Sequence, residues 1–101
     1  MGEVRALRLR YTQRASIDLA RIVQYLDERS PQGARKVQTR IQELINLTLE
    51  HPYAGTRTRK KRVRRLVAYP YPYLIFYEAT DEDITILGIR HAARKPSSIS
   101  G

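Results

Sequence analysis

Apolar and polar positions alternate, drift and alternate again along this chain, and the changes of period mark its elements. Leu7, Leu9 and Tyr11 are interleaved with Arg8 and Arg10, the two-residue period of a half-buried strand, although the segment from Val4 to Ala6 does not share it. Beyond Thr12, a candidate helix cap, Ile17, Ala20, Val23 or Ile22, and Leu26 recur at helical spacing to about Arg29. Ser30-Pro31 then reads as a second helix start: a serine hydroxyl can accept from an early amide, and proline fills a position whose amide would have no partner. The stripe Ala34, Val37, Ile41, Leu44, Ile45 and Leu47 or Thr48 predicts a helix that stops before Pro52, with Gly55 in the loop after it.

From Arg57 to His91 the period returns to two. Three runs rich in Val, Ile, Leu, Tyr and Phe are separated by turn-forming residues, the pattern of an antiparallel meander. Asp81-Glu82-Asp83, entered from Thr80, predicts a hairpin between the last two strands. Pro70 and Pro72 cannot donate to a ladder, so they belong to the connection before the middle strand or to its very start. Tyr73, Ile75 and Tyr77 share one side of that strand and Leu74 and Phe76 the other, so both faces are apolar and the strand is expected to be central. In the last strand Ile84 and Ile86 are expected to oppose Leu87 and Ile89.

The predicted order is strand, helix, helix, strand, strand, strand. Like elements follow like, which argues for an α+β fold: a helical hairpin packed on a small antiparallel sheet, order β-α-α-β-β-β. A length of 101 residues supports one domain with one modest core, expected over residues 1–95, with the serine-rich residues 96–101 as a flexible tail. There is no cysteine, hence no disulfide framework or thiolate metal site, and no apolar run is long enough for a membrane span or signal peptide. A cytoplasmic location is the expectation.

Composition changes this picture in one respect. The formal charge is +9, and seven of the nine residues from Arg57 to Arg65 are Lys or Arg, which predicts attraction to an anionic partner, either nucleic acid or an acidic protein. Other chemistries are poorly served. His51 and His91 have no cysteine or clustered carboxylates nearby, so no metal or other cofactor is expected; Asp81, Glu82 and Asp83 sit in a turn; Ser97, Ser98 and Ser100 have no base beside them.

In this order the residues resemble the RelE/ParE superfamily of toxins from type II toxin–antitoxin systems, and within it the ParE branch. The resemblance is carried by Asp18-Leu19-x-x-Ile22-x-x-Tyr25-Leu26, Ser30-Pro31, His51-Pro52-x-x-Gly55, Arg64-Arg65-Leu66, Pro72-Tyr73-Leu74-Ile75-Phe76-Tyr77 and Ile86-Leu87-x-Ile89-x-His91-x-x-Arg94. It implies a toxin neutralised in a hetero-oligomer by a cognate antitoxin, through which the pair reaches operator DNA. The ParE branch is associated with inhibition of DNA gyrase and the RelE branch with cleavage of messenger RNA on the ribosome.

Metal-free RNA cleavage needs a proton acceptor, cations for the charged phosphorane and an acid for the leaving oxygen. The resemblance matches the RelE set only to Arg62, Arg64 and Arg94, with His91 as a candidate acid or base; the second-strand arginine falls on Leu74, and no tyrosine follows Arg94. Gyrase inhibition by binding, without a chemical step, is therefore the expectation, with a RelE-like endonuclease and a free-standing nucleic-acid-binding module as alternatives. Target contacts are expected at Arg64, Arg65, Arg90, His91, Arg94 and Lys95, and antitoxin contacts at Arg57, Arg59, Lys60, Lys61, Tyr73 and Tyr77.

Overall fold

A computed structural model describes residues 7–93 of the chain. It contains β1 (Arg8–Tyr11), α1 (Gln13–Asp27), α2 (Pro31–Glu50), β2 (Thr56–Arg57), β3 (Val63–Val67), β4 (Tyr73–Ala79) and β5 (Asp83–His91). The helix starts follow from local chemistry. Thr12 Oγ1 accepts from the Ala15 amide at 3.0 Å, and Ser30 Oγ accepts from the Gly33 amide at 3.0 Å with Pro31 in the first helical turn.

The five strands form one sheet in the order β1-β5-β4-β3-β2. β4 is central, as its two apolar faces require, and the expected succession of elements is found with one addition, the two-residue β2. The sheet is mixed: β1 runs parallel to β5, pairing Leu9 with Ile84 and Tyr11 with Ile86, while the other pairs are antiparallel. Parallel neighbours need a long crossover, and the helical hairpin and meander together supply it. Alternation within a strand says which side chains share a face; it carries no information about the direction of the neighbour.

Both helices lie on one face. Ile41 and Ile45 of α2 join Ile75, Tyr77, Ile84 and Ile86 of the sheet in the core, all at 0 % exposure, and Ala15, Leu19, Ile22 and Leu26 of α1 complete it. The inward stripe of α1 is thus displaced from the one expected, and Ile17 and Ala20 point outward. The reason is that α1 starts beside the free edge of β5: the Thr12 amide donates to Ile86 O and its hydroxyl to Leu87 O, which fixes the rotation of the helix.

A bulge corrects another expectation. Phe76 pairs with Gly88 and Tyr77 with Ile86, so Leu87 is an extra residue on β5. The insertion resets the alternation and returns Ile89, 2 % exposed and opposite Ile75, to the same face as Ile84 and Ile86. No helix among the described residues is long and apolar enough to cross a membrane.

Candidate binding surface of the sheet and basic loop

The basic residues of the meander fall into three environments. Arg57, at the end of β2, and Arg59, Lys60, Lys61 and Arg62, in the turn that joins β2 to β3, are exposed. Thr58 fastens this turn: its amide and hydroxyl both donate to Val63 O, and its hydroxyl accepts from the Lys60 amide at 3.1 Å. Arg62 closes the turn with a φ of 71°, in the left-handed region that side chains other than glycine enter at a cost.

Arg64 and Arg65 are neighbours in sequence and opposite in role. Arg64 stands across from Tyr77 on the helix-covered side; its Nη1 donates to Gly55 O at 2.9 Å and Tyr53 O at 3.3 Å, and its guanidinium lies 5.0 Å from the centre of the Tyr53 ring. Gly55 is further held by Tyr77, whose hydroxyl accepts from the Gly55 amide at 2.8 Å and donates to Pro52 O at 2.8 Å. A Cβ on Gly55 would come within 2.8 Å of the Tyr77 hydroxyl oxygen and 2.9 Å of Arg65 O, so the close approach requires glycine. Burial pushes the Tyr77 hydroxyl above its usual pKa, against the opposing pull of the Gly55 amide and Arg64. Arg65 pairs with Phe76 on the other side of the sheet and is exposed.

That other side is uncovered among the described residues. It carries Arg8 and Arg10 at one edge, where Asp83 holds Arg8 at 2.9 Å and Arg10 at 3.9 Å, so Asp83 takes part in an ion pair beyond its place in the turn. Further in, Arg90 stands opposite Leu74 with its guanidinium 5.0 Å from the centre of the Phe76 ring. Burial holds the Arg90 guanidinium below its ordinary pKa, Arg14 presses in the same direction, and Asp18 opposes them. His91 turns the other way, edge-on to Tyr73 with ring centres 5.3 Å apart, and its Nδ1 accepts from the Ala93 amide at 3.0 Å, which leaves the neutral ring its proton on Nε2.

The expected contact residues are accordingly divided. Arg57, Arg59, Lys60, Lys61, Arg65 and Arg90 reach accessible surface, whereas Tyr73 and Tyr77, expected to meet an antitoxin, are 6 % and 0 % exposed beneath the helices and cannot. Arg94 and Lys95 lie outside the described residues. Of the groups matched to a nuclease, Arg64 faces Tyr77 and His91 faces Tyr73, four residues along β4, so about 13 Å of strand separates them. Sequence reasoning gave no chemical role to Asp18, which binds the Ile89 amide through Oδ2 at 3.0 Å and Arg14 Nε through Oδ1 at 3.2 Å. An aspartate set beside the apolar stripe of a helix was the signal available.

Known proteins agree with this architecture. The family described as ParE toxin of type II toxin-antitoxin system, parDE, matches residues 9–96. Toxin RelE2 of Caulobacter vibrioides is 37 % identical over 84 residues, covering 83 % of this chain and 93 % of that protein. The chromosomal ParDE system of P. aeruginosa superposes with a TM-score of 0.73 at 24 % identity, over 85 % of this chain and 96 % of that one. The E. coli DinJ-YafQ toxin-antitoxin complex does so at 0.61 and 14 % identity, over 95 % and 99 %. With nearly the whole chain matched in sequence and the same order of strands and helices, this protein is a member of the ParE toxin family of type II toxin–antitoxin systems.

Proposed function

We propose that this toxin arrests growth by binding DNA gyrase in the cytoplasm, without a covalent step, and is neutralised by a cognate antitoxin whose acidic residues meet Arg57, Arg59, Lys60 and Lys61. Residues 1–95 are the working unit, operator DNA is reached through the antitoxin, and Arg65, Arg90, His91, Arg94 and Lys95 are assigned to the target. The observation that supports binding over catalysis is the dispersal of the nuclease-like groups. Arg64 is committed to the carbonyls of Tyr53 and Gly55, and His91 packs against Tyr73 with one ring nitrogen engaged. One missing charge-stabilising donor already costs roughly a hundredfold in rate, and here Leu74 stands where the second-strand arginine of RelE-type toxins would be.

A second reading, ribosome-dependent cleavage of messenger RNA, is favoured by the name of the Caulobacter relative, Toxin RelE2. Purified toxin assayed in parallel for inhibition of gyrase supercoiling and for cleavage of messenger RNA on ribosomes separates the two. Inhibition of supercoiling without cleavage is the expected outcome; cleavage without inhibition overturns it.

A further inference from the structure

The uncovered side of the sheet has a built feature at its centre. Val67, Leu74 and Phe76 form an apolar strip across β3 and β4; Val67 is 49 % exposed, and Leu74 and Phe76 are half-buried. Arg65 flanks the strip on β3 and Arg90 on β5. Arg90 lies over Phe76, yet its Nε is fully buried and meets no acceptor among the described residues. Asp18 binds Arg14 through one oxygen and the Ile89 amide through the other and makes no bond to Arg90 Nε. Arg14 and Arg90 thus lie near the same carboxylate, and only Arg14 is bonded to it. A half-buried guanidinium lying over an aromatic ring and bordered by apolar side chains is suited to receive a carboxylate from a protein.

We propose that this side of the sheet seats an acidic and apolar segment of the toxin's protein target, placing a Glu or Asp carboxylate on Arg90 and apolar side chains on Val67, Leu74 and Phe76. The proposal rests on the reading that the toxin acts by binding a protein. A phosphate could meet the same guanidinium, but a nucleic acid would follow a track of exposed cations. This chain places its densest run of exposed cations from Arg57 to Arg62, beyond β3; on the open side Arg8 and Arg10 stand at the far edge beside Asp83, and the strip between is apolar.

Arg90→Gln, Arg90→Lys and Val67→Asp are compared with wild type and with Arg35→Gln, which removes one exposed charge from α2. Each is expressed for growth arrest, titrated against purified gyrase in the supercoiling assay, and tested for binding to the cognate antitoxin, with circular dichroism to confirm folding. Arg90→Gln and Val67→Asp are expected to need on the order of tenfold more protein for inhibition and arrest, Arg90→Lys to be intermediate, and Arg35→Gln and antitoxin binding to be unchanged. If Arg90→Gln fails to fold, Val67→Asp at its exposed strand position carries the test. Unchanged potency in both variants overturns the proposal. So does equal loss in Arg35→Gln accompanied by steeply salt-dependent binding of duplex DNA or single-stranded RNA, the result for a nucleic-acid surface. Arrest that depends on Arg90 while wild type leaves gyrase untouched removes the gyrase reading and keeps the surface; gyrase inhibition indifferent to all variants does the reverse.

Discussion

Tyr77 shows how much one side chain can organise. Its ring is fully buried in the core, and its hydroxyl joins the Pro52 carbonyl to the Gly55 amide, tying the chain after α2 to the centre of the sheet. Tyr77→Phe leaves the ring volume in place and the Gly55 amide without its acceptor, so unfolding in urea should show a loss of about 1–3 kcal/mol. The pH dependence follows from the raised pKa. A group whose folded pKa lies above its unfolded value lends stability that is present below the unfolded value, near 10, and lost as pH rises through the folded one. In an alkaline titration followed by tyrosinate absorbance, Tyr77 should therefore ionise late, and Tyr77→Phe should remove its contribution. The partition of Arg64 and Arg65 is also decided at this scale. In composition they are equivalent; the burial of Leu66 beside Ile75 sets the phase of β3 and sends Arg64 to the core side and Arg65 to the open side.

Among the elements, β5 depends most on a partner outside its own ladder. The extra residue at Leu87 breaks the regular pairing, and Asp18 reaches from α1 to bind the Ile89 amide. Asp18→Ala should cost about 1–3 kcal/mol by leaving that amide without an acceptor, whereas Asp18→Asn keeps an acceptor, loses the exposed pair with Arg14 and the carboxylate charge near Arg90, and should cost less; denaturation midpoints of the two variants measure the difference. Helix starts, the Asp81–Asp83 hairpin and the centrality of β4 were all legible in the sequence, because capping, turn chemistry and two-sided apolarity are local properties. The parallel pairing of β1, the bulge and the rotation of α1 were not. Each depends on what lies across a hydrogen-bond ladder, and period-two or period-3.6 patterns are silent about that.

For the whole molecule, two zones of a chain with net charge +9 have different consequences. On the proposed reading, the exposed run from Arg57 to Arg62 acts at a distance, raising the rate of encounter with an acidic partner, while the guanidinium groups of the open sheet act at contact. Replacing Arg57, Arg59, Lys60 and Lys61 together by Gln should slow association with the antitoxin and flatten its salt dependence, leaving the unfolding midpoint within about 0.5 kcal/mol of wild type; stopped-flow binding at two ionic strengths checks the first and urea titration the second. Of the binding surface, the charge density was readable in the chain and the place of Arg90 over Phe76 was not, because the two become neighbours only when β4 and β5 pair.

The fastenings at either end of the basic turn have an evolutionary corollary. Pro52 and Gly55 are pinned by Tyr77 on the way in, and Thr58 grips Val63 on the way out, so the intervening cations contribute almost nothing to holding the scaffold upright. If those cations meet the antitoxin as proposed, lineages can rewrite those few letters to follow it while inheriting the same frame. Cognate and foreign pairs can thus diverge within one genome without either toxin having to reinvent how it folds.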